Sequence, residues 1–188
     1  PCLSIWNAEN GYFFASCTGG HDWTVIALAK PETQPWFVTG QVDGRKVCVW
    51  DFTGHLLAVL PVTQLSRLFS SLKVFEHSTL GTYIVTGSDQ ITFWSSENYQ
   101  LYAVVQDNQD WKTALTFSDD KKLMVAGDSS GIVTVWAINN ITDCTKIGHA
   151  HWDDQQINDI RVLQDKGVIV SVSGVPFFSQ DTTVRVYD

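Results

Sequence analysis

His21, Thr39 and Asp43 supply an imidazole, a hydroxyl and a carboxylate, the three group types of a nucleophile–base–orienter arrangement. Trp50 follows Asp43 by seven residues. A second group, His149-Ala150-His151-Trp152-Asp153-Asp154, is the densest run of metal-ligating residue types. On a strand, positions i and i+2 put both imidazoles on one face, a two-ligand start for zinc or copper. No cysteine or third histidine falls nearby in sequence, so the expectation is a solvated loop leading into the next strand, with no metal. The glycines stand singly or as one pair at turns, and no Gly-x-Ser-x-Gly elbow is present. No catalytic residue and no cofactor are expected, and the protein is not read as an enzyme.

The tryptophans are more informative about binding. Trp23, Trp111 and Trp152 each neighbour an acid, Asp22, Asp110 and Asp153. Indoles serve as anchors in protein interfaces, and flanking carboxylates select a Lys- or Arg-bearing segment. The competing reading is that each indole packs beneath its own loop. Phe177 and Phe178, in the run 175–180, mark a contact site if exposed, and Arg45 is a lone cation in an earlier loop.

Composition bounds the rest. The formal charge of −8 argues against direct nucleic-acid binding and for a basic protein surface or peptide. Apolar residues at 44% and charged residues at 17% exclude a disordered chain. No apolar run approaches the roughly 18 residues a membrane helix needs, so no insertion is expected. Cys2, Cys17, Cys48 and Cys144 are scattered without a C-x-x-C pair and are expected to be reduced, which favours an intracellular location, cytoplasmic or nuclear. Asn140-Ile141-Thr142 is a formal glycosylation acceptor that has no role there. The opening Pro1 reads as an internal segment of a longer chain.

Short β-branched runs must position these residues. Ser4-Ile5-Trp6, Val47-Cys48-Val49-Trp50, Ile91-Thr92-Phe93-Trp94, Val133-Thr134-Val135-Trp136 and Val184-Arg185-Val186-Tyr187 end in aromatics separated by 44, 44, 42 and 51 residues. Each period holds further runs of four to six residues between Gly, Asp, Asn and Ser clusters, the pattern of strands and turns. No window carries a convincing helical period; the best, 63–75, also reads as a strand start. The fold class is all-β, and a period of 40–45 residues is that of a four-stranded propeller blade.

Gly20-His21, followed by Val25 and Leu28, and the pair Trp50-Asp51 resemble the WD-repeat family at the start and end of its repeat. Ala114 to Leu123 and Asp128 to Trp136 are similar to its inner strand, turn, second and third strands, and Asp181 to Asp188 to its third strand. Asn108 and Ser130 stand where the family has His and Asp, and Trp94 and Trp136 lack the following Asp. The resemblance implies a β-propeller of four-stranded antiparallel blades, about four of them present, within a ring of about seven; the alternative is a four-bladed ring in which Tyr12–Cys17 closes onto the last blade. The expected units are 1–20 (the end of a preceding blade), 21–62, 63–106, 107–148, and 149–188 without its outer strand.

In that family His21, Thr39, Asp43 and Trp50 would form a buried structural relay, which the donors and acceptors of the four side chains can satisfy. Its loops would gather Trp23, Trp111 and Trp152 on one face. The function implied is a protein–protein interaction scaffold, binding other proteins through loop face and blade edges, with remaining blades or a completing chain elsewhere. The alternative is a reader of a short basic or modified peptide at the propeller axis.

Overall fold

The computed structural model describes residues 3–20, 25–41, 46–62, 70–107, 110–151, 154–174 and 183–187. They form strands and turns with no α-helix among the described residues, and no helix is long and apolar enough to cross a membrane. Each strand is short because turn chemistry interrupts it. After Trp50 the Asp51 carboxylate accepts the backbone N–H groups of Thr53 (2.9 Å) and His55 (3.0 Å) and the Thr53 hydroxyl (2.7 Å). Gly54 completes that turn at φ +90°, and a Cβ there would lie 2.7 Å from the Ser16 carbonyl oxygen. The aspartate of the Trp-Asp pair is thus a turn clamp.

Five antiparallel sheets follow one another in chain order. The first is β1 (Leu3–Trp6) with β2 (Phe13–Cys17). The second is β3 (Val25–Ala29), β4 (Trp36–Gln41), β5 (Val47–Asp51) and β6 (Leu56–Leu60). The third runs β7 (Ser71–His77), β8 (Gly81–Gly87), β9 (Ile91–Ser95) and β10 (Leu101–Val105). The fourth has β11 (Lys112–Phe117), β12 (Leu123–Asp128), β13 (Ile132–Asn140) and β14 (Asp143–His151). The fifth has β15 (Ile157–Leu163), β16 (Val168–Ser173) and β17 (Thr183–Tyr187). Within each sheet the strands lie side by side in sequence order. β2 pairs with β1, and β17 lies at the edge beside β16, so the first and fifth sheets are separate.

The sheets stack face to face, and the period explains how. Trp50, Trp94 and Trp136 are each 1% exposed, and each seats on the sheet before its own. Trp50 packs with Cys17, Leu3 and Ile5 of the first sheet, and Trp94 with Val38, Val47 and Val49 of the second. Trp136 packs with Phe75, Val85 and Phe93 of the third. Val125 and Val133 meet Ile157 and Ile160 of the fifth. Truncating an aromatic buried this way costs roughly 3–5 kcal/mol.

The leading strands β3, β7, β11 and β15 touch in succession. Hydrogen bonds one repeat apart tie neighbouring sheets. Ser70 Oγ donates to the Lys112 carbonyl (2.7 Å), and Thr113 Oγ1 to the Ile157 carbonyl (2.6 Å). At the other end the Glu32 N–H donates to Glu76 Oε2 (2.6 Å) and the Asp120 N–H to Gln164 Oε1 (3.0 Å). Repeated four-stranded antiparallel sheets stacked like this fit a β-propeller-like architecture.

β14 reaches His151, so the fourth sheet runs beyond the unit boundary expected at 148. The β13–β14 hairpin has nine residues on each side, longer than its counterparts.

Candidate functional site

The hydroxyl–indole half of the relay is in place. Trp50 Nε1 donates to Thr39 Oγ1 at 2.8 Å, with Thr39 on β4 fully buried. His21 and Asp43 lie outside the described residues, so the other half is not placed. In the third sheet the same position is Thr86, and Trp94 Nε1 reaches both Thr86 Oγ1 (3.2 Å) and Thr92 Oγ1 (3.1 Å), with the two hydroxyls 2.5 Å apart. Buried hydroxyl–indole bonds of this kind tie the strands of a sheet together.

The fourth sheet departs from that plan. Ala126, opposite Thr134, occupies the register of Thr39 and Thr86 and has no hydroxyl. A buried ion cluster lies near the start of its first strand instead. Lys112, 1% exposed at the head of β11, pairs across to Asp128. Its Nζ lies 3.2 Å from Asp107 Oδ2 and 3.6 Å from Asp128 Oδ2, and donates to the Asp110 carbonyl at 2.8 Å. Neither carboxylate oxygen meets hydrogen-bond geometry, so the attraction is coulombic. Lys146 of β14 adds a cation 3.4 Å from Asp107 Oδ1. Two lysines and two aspartates balance, as buried charges must.

Sequence reasoning missed this cluster. Its only signal was a lysine at a register filled by Val25 in β3 and Ile157 in β15, both opposite the last residue of the neighbouring strand.

The cluster anchors the loop that carries Trp111 and Asp110. Trp111 is 36% exposed, and its carbonyl accepts the Ser129 N–H at 2.9 Å, fixing the backbone on which the indole stands. Asp110 is exposed, and the Ser130 hydroxyl donates to its Oδ2. Ser130, at the family's Asp position, thus serves as donor to an acid from the preceding loop. His151 Nε2 lies 3.1 Å from the Ser130 carbonyl and 3.4 Å from Asp154 Oδ1. Trp111, Asp110, His151 and Asp154 therefore share one acidic, aromatic-bearing end of the fourth sheet.

The other expected binding residues, Asp22, Trp23, Arg45, Trp152, Asp153, Phe177 and Phe178, lie outside the described residues.

His149 and His151 stand on the edge strand β14, not in a loop. Both are exposed, opposite Thr134 and Ile132. Among the described residues no group of three or more His, Cys, Asp or Glu side chains is placed to hold a metal ion. Cys17, Cys48 and Cys144 are not in disulfides, and Cys48 Sγ donates to the Gly20 carbonyl at 3.3 Å. Burial, with Asp143 beside it, pushes the Cys144 thiol up to about 11, so it carries no thiolate for nucleophilic chemistry at neutral pH. In comparisons with known proteins, no family model and no curated protein matches the chain.

Proposed function

We propose that the chain is an arc of about four blades of a WD-repeat-type β-propeller and acts as a protein-interaction module. The observation that carries the reading is Trp111, a half-buried indole beside the exposed Asp110 on a loop held by the Lys112 ion cluster. A rigid aromatic anchor with an acidic margin is complementary to an extended, Lys- or Arg-bearing segment of another protein. The stacked four-stranded sheets, the period near 44 residues and the Trp-Asp turn support the propeller assignment. The hydroxyl–indole pairs work structurally, so the module binds and does not catalyse.

The test is a fluorescence-polarisation titration with labelled Lys/Arg-rich peptides. Basic peptides bind, affinity falls as salt rises, and Trp111→Ala weakens binding about tenfold or more while the fold persists. Equal binding by Trp111→Ala, or no binding of any basic peptide, would exclude this site.

A further inference from the structure

A cation on the outer strand of the fourth sheet is linked by successive contacts to the backbone of Trp111. Lys146, half-buried on β14, has its Nζ 3.4 Å from Asp107 Oδ1. Asp107 lies in the connection from β10 to β11, and its side chain is 5% exposed. Its Oδ2 is 3.2 Å from Lys112 Nζ, which donates to the Asp110 carbonyl at 2.8 Å. The next carbonyl along, that of Trp111, accepts the Ser129 N–H at 2.9 Å.

Among the described residues, cations at these two positions are peculiar to the fourth sheet. Lys146 pairs opposite Trp136, where Phe13, Leu56 and Leu101 stand opposite Trp6, Trp50 and Trp94. Lys112 stands where β3, β7 and β15 have Val25, Ser71 and Ile157. The other sheets form without either lysine, so the two lysines enter together, as one charge-balanced unit with Asp107 and Asp128.

Lys112 alone does not balance two carboxylates that are 5% and 1% exposed. A buried charge without compensation is costly, and the cluster relaxes by moving whichever member is least tethered. Asp128 is held by the backbone N–H groups of Ser130 (3.0 Å) and Ile132 (2.9 Å). Asp107 therefore gives way, and it belongs to the same connection as Asp110 and Trp111.

We infer that Lys146 is a positioning residue for the Trp111 site: its charge, acting through Asp107 and Lys112, keeps the loop bearing Trp111 and Asp110 in its binding geometry. The consequence for binding rests on the proposed role of Trp111, but the order of the loop is measurable without any peptide. Contiguous contacts of this kind carry coupling between a distant side chain and a site.

Amide hydrogen exchange at the Ser129 N–H, followed by NMR on the 188-residue chain, reports directly on the Trp111 backbone. Lys146→Gln speeds that exchange about tenfold, and Lys146→Arg, which keeps the charge, does not. Lys146→Gln combined with Asp107→Asn restores protection, because Lys112 is then balanced by Asp128 alone. Amides of β8 and β9 keep their wild-type rates in all three variants. In the titration with a Lys/Arg-rich peptide, Lys146→Gln weakens binding about threefold or more, and the double variant, which has the wild-type net charge, recovers it. A purely electrostatic effect has the opposite sign, since the added negative charge attracts a basic peptide. Tighter binding by Lys146→Gln, unchanged exchange at Ser129, or faster exchange spread equally over β8 and β9 would overturn the inference. If Lys146→Gln alone does not fold, the double variant decides: it folds where Lys146 supplies charge balance and fails where it supplies only its aliphatic stem. A wild-type chain that binds no basic peptide sinks the proposed function and leaves Ser129 exchange to judge this inference.

Discussion

Lys112 is the residue whose environment departs most from its type. Lysine heads are ordinarily solvated, and this one is held between Asp107 and Asp128 with its carbonyl capped by Ser70 Oγ and Ser71 Oγ. Removing one member of such a cluster is far costlier than removing all of it, because an uncompensated buried charge remains. Lys112→Met therefore destabilises the chain by roughly 3–5 kcal/mol in urea unfolding. Adding Asp107→Asn and Asp128→Asn recovers a large part of that loss. An unchanged denaturation midpoint in Lys112→Met would mean the lysine is solvated. Thr39 and Trp50, by contrast, behave as their types suggest: a donor-only indole facing a hydroxyl acceptor inside a joint.

At the scale of elements, carboxylates clamp the turns and set the acid limb of stability. Thr53 and the backbone of His55 hold the Asp51 carboxyl down to about 2 from its ordinary 3.8. Burial would raise the Glu76 carboxyl. The Thr33 hydroxyl and the N–H groups of Glu32 and Thr33 outweigh that and hold it below its ordinary 4.5. Both groups are lowered on folding, so their contribution is fully present above the ordinary carboxylate values and is lost as pH falls through the folded ones. Asp51→Asn should flatten the pH dependence of unfolding between 3.8 and about 2, and Glu76→Gln should flatten it below 4.5. Acid titration of stability by circular dichroism reads both. A wild-type acid limb in Asp51→Asn would show that the turn clamp carries no linked protonation.

At the scale of the molecule, the sheets approach closely enough that single atoms matter. A Cβ on Gly127 would fall 2.4 Å from Ile157 Cγ2 and 2.8 Å from Ile160 Cδ1, side chains fixed between the fourth and fifth sheets. Gly127→Ala should cost roughly 1–3 kcal/mol as overpacking. The loss should concentrate in that joint, with faster amide exchange in β15 and β16 than in β8 and β9. Uniform exchange across all sheets would show that the stack unfolds as one cooperative unit.

The all-β class, the strand positions and the period were legible in the amino-acid order. Alternation, β-branching and turn chemistry act over a few residues, and the 44-residue spacing of Trp6, Trp50 and Trp94 repeats them. Thr39 as the acceptor for Trp50 was expected only from the resemblance to the WD-repeat family, because the hydroxyl precedes its tryptophan by eleven residues in the second sheet and by eight in the third. The burial of Lys112 was not legible, because a lysine is stable there only with Asp107 and Asp128 folded around it, five and sixteen residues away. Nor was the place of His149 and His151, since a hairpin lengthens or ends according to what its neighbours pair with. Trp6 and Trp50 end similar apolar runs, and one is exposed while the other is buried. Local sequence decides which side of a strand an indole takes, but only a neighbouring sheet can remove it from water.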